Sequence, residues 1–300
     1  MSDKLITILG PTAVGKTKFA VKLASVFNGE IISADSRQVY RLMDIGTGKD
    51  LSEYSSCGNS IPYHLIDICD PTEEFNLFTF RKEFVNAYSS ITGSGNTAFL
   101  VGGTGMYLSS ILQDYTLTPA NFKTKRARDL SEKRNDELKE ILLELNPNQH
   151  NLTDLVDKER IIKAILIAES ASESLPKIEL ESLVIGVSLE RQEIKKNITR
   201  RLKVRLNSGM IDEVKNLLDN GISTEKLKFF GLEYKFIAMY LNGEMNYNDM
   251  YQKLNSAIHQ FAKRQMTWFR KMEREGVIIN WLAPENTKSA ELLIENFLAK

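Results

Sequence analysis

The stretch ILGPTAVGKTKFA, from Ile8 to Ala20, decides the fold of this chain. Its central residues, from Gly10 to Thr17, match the pattern GxxxxGK[ST] in full. An apolar run precedes the pattern and a helical pattern of apolar residues follows it. A strand, a glycine-rich turn and a helix in this order predict a phosphate-binding loop at the carboxyl end of a buried strand.

The chemistry of this loop follows from its residue types. Gly10 and Gly15 let the backbone curl so that successive N–H groups point at an anion. Lys16 adds a mobile positive charge, and the Thr17 hydroxyl is placed to ligate Mg²⁺. Kinases, ATPases, GTPases and group transferases all use such a loop, so it does not by itself identify the reaction. The predicted phosphate-binding residues are Gly10, Pro11, Thr12, Ala13, Val14, Gly15, Lys16 and Thr17.

Short apolar runs alternate with helical patterns on either side of this loop. This β-α alternation predicts an α/β fold, in which a P-loop parallel sheet is flanked by helices on both faces. The first part of the catalytic core is expected to span residues 1–113, with a helix near residues 77–91. Its predicted strands are LITIL (5–9), EIIS (30–33), YHLIDI (63–68) and AFLVGG (98–103).

The pattern changes after this first part. Residues 114–183 contain charged helical segments without convincing strands, which predicts an inserted all-helical domain. The apolar run LVIGVSL (183–189) then returns as a strand, so the core is expected to resume over residues 184–300. This last part is mostly helical, with a helix from Asn246 to Glu275, and it closes with VIINWL as a short strand or buried run.

Composition sets limits on the class of protein. Lysine plus arginine equals aspartate plus glutamate at 39 each in 300 residues, so the net charge does not indicate a nucleic-acid partner. Locally, however, Lys195 to Arg205 holds six basic and no acidic side chains. Cys57 and Cys69 form neither a CxxC motif nor a Cys/His cluster, which argues against a disulfide framework or zinc module. Without a signal peptide, a membrane-length apolar run or a symmetric hydrophobic seam, we expect a cytoplasmic monomer.

Asp35 is the second candidate for chemistry. A protein that hydrolyses nucleoside triphosphates would usually also carry a Walker B strand ending in an acid, but AFLVGGTG ends in glycines. EIISADS ends in Asp35, and a group of hydrogen-bonding side chains follows it. From these residues alone, Asp35 could hold a metal, serve the structure, or act as a base facing a substrate beside the phosphate site.

Five motifs together resemble a known family. They are GPTAVGKT, ISADSRQVYRLMDIGTGKD, YHLIDICDP, FLVGGTGMYL and FAKRQMTWFR, and in this order they closely resemble the tRNA dimethylallyltransferases, also called tRNA isopentenyltransferases. The resemblance extends from about Lys4 to Leu282. That family transfers a dimethylallyl group from dimethylallyl diphosphate to N6 of the adenosine 3′ to the anticodon and releases diphosphate. Since no zinc-finger motif follows, the bacterial type is expected.

The resemblance implies a role for each motif. The P-loop residues, with Mg²⁺ at Thr17, would hold the diphosphate of the donor, and Asp35 would be the general base that removes a proton from N6. Asp35 and Thr17 are thus the expected catalytic residues, and the expected partners are dimethylallyl diphosphate and the tRNA anticodon stem-loop. The expected tRNA-binding residues are Asp35, Ser36, Arg37, Gln38, Thr104, Arg126, Glu159, Arg160, Ile161, Ile162, Lys163, Arg264 and Gln265.

Several of these residues also allow plainer interpretations. The turn at Thr104 could merely cap the helix that follows it. The charges of the insertion, such as Arg126 and Arg160, are of a kind that usually forms a solvated helix face. Basic side chains interleaved with aromatics in AKRQMTWFR suit RNA contact, but Trp268 is expected in the core.

The chain departs from the family pattern in regions expected to contact tRNA. Asn197 replaces a basic residue, Val156-Asp157 replaces an Asn-Asp pair, Lys163 replaces an arginine, and Glu233 lies within GLEYK. Because the resemblance places these positions in tRNA-contacting regions and not at the reaction centre, the departures are expected to affect substrate range and docking more than the reaction. Three other functions are considered: an isopentenyltransferase acting on free adenine nucleotides, a P-loop small-molecule kinase, and a non-enzymatic RNA-binding module.

Overall fold

The structure is a computed structural model that describes residues 3–55, 60–115, 124–145, 157–170 and 179–300. Its contacts divide the chain into two compact units. The first unit is Met1–Asp114 together with Glu179–Lys300, and the second is Tyr115–Ile178. Two residues singled out from the sequence, Cys57 and Val156, lie outside the described residues.

A six-stranded sheet forms the centre of the first unit, and all its strand pairs are parallel. The spatial order is β3-β2-β4-β1-β5-β6, so β1 is central and pairs with both β4 and β5. The predicted fold class, a parallel P-loop sheet with flanking helices, is confirmed. The strands are β1 (Asp3–Leu9), β2 (Gly29–Ala34), β3 (Tyr63–His64), β4 (Thr97–Gly102), β5 (Leu180–Val187) and β6 (Ile279–Leu282).

Two strands differ from their predicted lengths. The run YHLIDI was predicted as one strand, but β3 ends at His64 because Leu65 (φ 63°) and Asp67 (φ 56°) adopt left-handed backbone conformations. The strand predicted to begin at Leu183 begins at Leu180, because pairing with β1 extends back to Asp3. The run VIINWL, which was predicted as a strand or a buried run, contains a strand that pairs with β5.

Helices cover the sheet and extend the fold. In chain order they are α1 (Lys16–Val26), α2 (Leu77–Gly93), α3 (Gly105–Leu112), α4 (Lys125–Ser131), α5 (Asn135–Leu145), α6 (Lys158–Glu169), α7 (Arg191–Asn207), α8 (Met210–Asp219), α9 (Thr224–Phe230), α10 (Leu232–Leu241), α11 (Tyr247–Arg274) and α12 (Thr287–Leu298). In the described part of the chain, none of them is both long and apolar enough to cross a membrane.

One apolar cluster joins the sheet to α1 and α12. Phe19 and Leu23 of α1 pack with Phe99 of β4 and Ala290 of α12, and all four are fully or almost fully buried. Residues of β4 alternate between the two faces, and α2 contacts β2 and β4. This packing holds the carboxyl ends of β1, β2 and β4 in a fixed relation.

A second cluster is formed by helices α7 to α11. Met210, Leu227 and Met250 are among its fully buried members, and Val39 and Tyr40 join it from the segment that follows β2. The apolar residues of the ADSRQVY motif therefore anchor this segment in the helical part of the first unit. Its polar residues, which precede Val39, are left at the end of the strand.

The second unit has a small core of its own. Leu130 of α4, Leu138 of α5, and Ile161 and Ile165 of α6 are fully buried in it. The prediction that Ile161 contacts tRNA therefore does not hold for its side chain, because that side chain faces the core of the unit. The helical pattern of the sequence could not separate the buried face of α6 from its exposed face without knowing what packs against it.

Candidate active site

A cavity of about 1330 Å³ lies at the carboxyl ends of the central strands. The P-loop, the Asp35–Gln38 segment after β2 and the Gly102–Gly105 turn after β4 line it from the sheet side. Helices α7, α9, α10 and α11 and the loop after β2 contribute most of the other lining residues, and all residues that line the cavity belong to the first unit. In open parallel sheets, ligands bind in the crevice outside the carboxyl ends of the strands, so the fold itself favours this position.

The P-loop has the backbone shape that its glycines predicted. Gly15 (φ 82°) and Ala13 (φ 66°) are left-handed, and α1 begins at Lys16 directly after Gly15. At Gly10, a Cβ atom would lie 2.3 Å from the carbonyl oxygen of Val187 in β5. A side chain at this position would push the loop away from the sheet, so Gly10 permits the close approach.

Lys16 faces the cavity in an environment that disfavours its positive charge. Its Nζ donates a hydrogen bond of 2.7 Å to the carbonyl oxygen of Pro11. Burial and, to a smaller extent, the charge of Arg201 lower the pKa of Lys16 to about 7, while Asp35 acts in the opposite direction. An anion in the loop would favour the protonated form, so the site is electrostatically built for a negatively charged ligand.

Arg201 and Arg205 of α7 are site residues that were not assigned a role from the sequence. Arg201 Nη2 donates a hydrogen bond to the Thr12 hydroxyl, and burial, followed by the charge of Arg205, lowers the pKa of Arg201 to about 10. Arg205 lies 3.6 Å from a carboxylate oxygen of Asp50. The signal in the sequence is their spacing of four residues within the basic run, which puts both on one helix face.

Asp35 is placed by the backbone around it. Its Oδ1 accepts a hydrogen bond of 2.9 Å from the Arg37 N–H. Next to it, the Thr104 hydroxyl accepts a hydrogen bond of 3.1 Å from the Ser36 N–H, and Thr104 N–H donates to the Ala34 carbonyl. The Thr104 side chain makes no capping hydrogen bond with α3, so capping is not its role; it joins the end of β4 to the segment after β2.

Gln38 and Arg37 have different environments. Gln38 Oε1 accepts from the Ser33 hydroxyl at 3.0 Å, and its Nε2 donates to the Gly48 carbonyl at 3.1 Å. Both ends of this amide are therefore used within the protein. The Arg37 guanidinium lies 5.1 Å from the ring centroid of Phe229, and burial lowers its pKa. Phe229, which was not predicted as a site residue, remains 63% exposed.

A buried lysine and a carboxylate of α8 hold the loop after β2 in place. Lys49 is almost fully buried, and its Nζ donates to the Tyr40 carbonyl at 2.7 Å, to Asp44 at 2.6 Å and to Asp67. Glu213 of α8 accepts hydrogen bonds from three successive N–H groups, at residues 44–46, and from the Tyr234 hydroxyl. These contacts fix the glycines of this loop at the cavity wall.

Gln265 of α11 forms hydrogen bonds with both the P-loop and the turn after β4. Its Oε1 accepts from the Thr12 N–H at 2.8 Å, and its Nε2 donates to the Gly103 carbonyl at 2.8 Å. Gln265 was predicted to contact tRNA, but the structure uses both ends of its amide to tie the P-loop to the turn after β4.

Replacing Gln265 by alanine should destabilise the protein by about 1–3 kcal/mol, because it leaves the Thr12 N–H and the Gly103 carbonyl without these partners. Urea unfolding followed by circular dichroism measures this change. The control is Gln260→Ala on the exposed face of the same helix, which should stay within about 0.5 kcal/mol of the unmodified protein. Equal stabilities for the two variants would contradict the structural role of Gln265.

The neighbouring aromatic residues were only partly predicted. Trp268, expected in the core, is half-buried, lines the cavity and donates from Nε1 to the Ser109 hydroxyl at 2.9 Å. Phe269 is the fully buried member of this pair. Arg264 is exposed, and its guanidinium lies 6.0 Å from the ring centroid of the partly exposed Phe261.

Two of the departures from the family pattern lie at the cavity. Asn197 Nδ2 donates to the P-loop carbonyl of Ala13 at 3.3 Å, so an amide there supports the loop. Glu233 lines the cavity, and burial raises the pKa of its carboxyl group while Arg205 and Arg201 lower it. The sequence could not indicate either role, because both depend on the position of α7 and α10 against the loop.

The oxygen groups at the cavity suit a hard divalent cation. The Thr17 hydroxyl at the start of α1 and the Asp35 carboxylate both line it. Among the described residues, no group of three histidine, cysteine or acidic side chains could hold a metal by itself. A cation held by one or two protein oxygens, with ligand phosphate oxygens and water completing the shell, matches Mg²⁺ chemistry.

The remaining predicted tRNA contacts lie in the second unit. Arg126 forms a bidentate ion pair with Glu169, with its Nη2 2.5 Å from a carboxylate oxygen, and its side chain stays 44% exposed. Glu159, Arg160 and Lys163 are exposed on α6, whereas Ile162 is half-buried. The structure thus exposes both basic and acidic side chains on α6, with Arg160 and Lys163 one helical turn apart.

Comparison with known proteins identifies the family. The family model described as IPP transferase matches residues 38–272, and the model described as isopentenyl transferase matches residues 3–57. The chain belongs to the IPP transferase family. These two matches together cover the P-loop, Asp35, the turn after β4 and most of α11.

Curated relatives and solved structures agree with the family. The chain is 53% identical over 284 residues to tRNA dimethylallyltransferase 1 of Geotalea uraniireducens, covering 94% of this chain and 93% of the relative. The crystal structure of the tRNA isopentenylpyrophosphate transferase of Bacillus halodurans is 32% identical, with a TM-score of 0.71 over 99% of this chain and 96% of that one.

A eukaryotic dimethylallyltransferase acting on tRNA shares the fold, with a TM-score of 0.80 at 23% identity over 99% of this chain and 80% of that one. This architecture is therefore shared by chains of low sequence identity.

Proposed function

We propose that this protein transfers a dimethylallyl group from dimethylallyl diphosphate to N6 of the adenosine 3′ to the anticodon in tRNA and releases diphosphate. The observation that carries the proposal is the single cavity that contains a P-loop on one wall and the Asp35 carboxylate on the neighbouring wall. Such a site can hold an anionic leaving group and a base at the same time. The family and the tRNA dimethylallyltransferases related to this chain support this function.

The P-loop is suited to the diphosphate of the donor. The P-loop, the positive end of α1, Lys16 and Arg201 all line the same cavity. When the C–O bond of the donor breaks, its electron pair leaves with the diphosphate. Preorganised positive groups stabilise this charge as it develops, which lowers the barrier.

Mg²⁺ is the cation that we propose for the Thr17 position. When bound, it would neutralise diphosphate charge and act as a Lewis acid on the leaving oxygen. The Thr17 hydroxyl would hold it, and the remaining ligands would come from the diphosphate and water.

Asp35 is proposed as the general base. Adenine N6 is a weak nucleophile because its lone pair is delocalised into the ring. As the new bond between N6 and the allylic carbon forms, the N6 proton would pass to the Asp35 carboxylate. The Arg37 backbone N–H donates a hydrogen bond to Oδ1 of this carboxylate, and the Thr104 hydroxyl accepts one from the adjacent Ser36 N–H. Both contacts keep the base in one orientation before the substrate binds.

RNA recognition is supported by the aromatic residues at the cavity. The Arg37–Phe229 and Arg264–Phe261 pairs each combine a guanidinium with a partly exposed ring, and all four residues line the cavity. Aromatic rings and guanidinium planes stack on unpaired bases, as a nucleotide extruded from the anticodon loop requires.

In the second unit, the exposed Arg126, Arg160 and Lys163 are proposed to contact the anticodon stem-loop. Because one chain supplies the whole cavity, we propose that the monomer is active.

The test is an assay with purified protein, dimethylallyl diphosphate, Mg²⁺ and a tRNA with an adenine-rich anticodon loop. We expect N6-isopentenyladenosine in the nuclease digest of the product. Its absence would refute the proposed function. Competition with free AMP, ADP and ATP separates transfer to tRNA from transfer to free nucleotides, and phosphorylated product from ATP would instead identify a kinase.

A further inference from the structure

A second, smaller groove is formed by residues of α7 and α11. It has a volume of about 500 Å³ and is lined by Lys195, Lys196, Thr199, Arg200, Lys203 and His259. We call it the α7 groove. The first five of these residues lie on α7 at positions 195, 196, 199, 200 and 203, and each is three or four positions from at least one other, so they form one continuous helix face. His259 of α11 closes the other side.

The charge of this groove is not compensated. Lys195, Lys196, Arg200 and Lys203 are all exposed, and in the described part of the chain no acidic side chain forms an ion pair with any of them. An isolated lysine on a surface is ordinary, but four cations on one concave face create a positive potential that a dispersed surface lacks. The balanced charge of the whole chain makes this local excess more pronounced.

Hydrogen bonds between α7 and α11 hold the two sides of the groove together. The Thr199 hydroxyl donates to Asn255 Oδ1 at 3.1 Å and lies 3.5 Å from His259 Nε2. These contacts tie α7 to α11 at the floor of the groove. The lysine side chains therefore project from a fixed helix pair, which presents several cations to one ligand at a constant spacing.

The groove continues into the candidate active site. Arg200 lines both the α7 groove and the large cavity. Its Nη2 donates to Asn197 Oδ1, and the Nδ2 of the same asparagine donates to the P-loop carbonyl of Ala13. A ligand that extends from the cavity into the α7 groove therefore passes Arg200, which lines both.

We propose that the α7 groove binds the phosphodiester backbone of the tRNA substrate outside the nucleotides that enter the cavity. A polyanion with regularly repeated charges matches four cations on one helix face, whereas a single phosphate would use only one or two of them. Among the residues that the structure describes, no Phe, Tyr or Trp lines the groove, so we infer that it contacts the backbone and does not read bases. This inference rests on the proposed tRNA function and identifies a docking surface for that acceptor.

The test compares two triple variants with equal charge change. In the first, Lys195, Lys196 and Lys203 are each replaced by glutamine. In the control, the exposed Lys82, Lys215 and Lys288, which lie outside both the groove and the cavity, are replaced in the same way. The dissociation constant for a tRNA transcript is measured over a series of salt concentrations, together with kcat at saturating tRNA and the dissociation constant for dimethylallyl diphosphate.

We expect the groove variant to bind tRNA about tenfold or more weakly at low salt, and its log–log salt dependence to fall by about 2 because three phosphate contacts are lost. Donor affinity and kcat at saturating tRNA should remain within about twofold, and the control variant should bind tRNA normally. Equal tRNA affinities for the two variants, or an equal loss of donor affinity in the groove variant, would overturn the proposal. Failure of the unmodified protein to modify tRNA would refute the proposed function separately, because tRNA binding is measured without turnover.

Discussion

Replacing Asp35 by asparagine should lower kcat by about 10²- to 10⁴-fold, which is the usual contribution of a positioned general base. Asparagine has nearly the same shape as aspartate, and its carbonyl oxygen can still accept the hydrogen bond from the Arg37 N–H. The variant therefore removes the basic group while it preserves the turn after β2. Single-turnover measurements with tRNA and dimethylallyl diphosphate would isolate the chemical step.

Binding measurements separate this effect from a loss of structure. Asp35→Asn should bind tRNA with nearly the affinity of the unmodified protein, and Asp35→Ala should do the same while also losing turnover. The control is Asp219→Asn at the exposed end of α8, which should leave kcat unchanged. Normal turnover by Asp35→Asn would show that another group accepts the N6 proton.

Replacing Lys16 by glutamine should lower kcat by about 10²- to 10³-fold, the range observed when one preorganised donor to a developing negative charge is removed. The affinity for dimethylallyl diphosphate should fall as well, because the lysine faces the anion both before and during the reaction. Isothermal titration with the donor and single-turnover assays measure the two effects separately.

A positive charge at position 16 should not by itself be enough for full activity. Lys16→Arg keeps a positive charge but has a planar, branched donor group that does not fit the position of Nζ, 2.7 Å from the Pro11 carbonyl. We therefore expect it to recover only part of the activity. Lys82→Gln on α2 is the matched control and should behave normally. Full activity of Lys16→Gln would argue that the donor diphosphate does not occupy the P-loop.

The sequence predicted much of the fold because its strongest patterns are local. The P-loop motif with its flanking strand and helix, the strands β1, β2 and β4, and the long helix α11 all form near the predicted positions. It was wrong where a local apolar run conflicted with backbone conformation, as at Leu65 and Asp67 after β3. The order of strands in the sheet also depends on long-range pairing that no local pattern encodes.

For the site, the predicted P-loop and Asp35 both line the cavity, and their functional roles stay predictions. Other residues needed the tertiary structure. Gln38 and Gln265 were predicted to contact tRNA, but their amides are engaged with protein groups. A glutamine in a motif looks the same in sequence whether its amide faces a ligand or the backbone of a distant loop.

By itself, the sequence of this protein determined which chemical groups are available and which backbone turns can hold them: Gly10 and Gly15 allow a phosphate-binding loop, and Asp35 follows a buried strand. The tertiary structure decided which of those groups meet. Arg201 reaches Thr12 across 189 positions, and Gln265 reaches it across 253, because α7 and α11 pack against the carboxyl end of the sheet. Motifs depend on neighbours along the chain, whereas a cavity depends on packing between elements that are far apart in it.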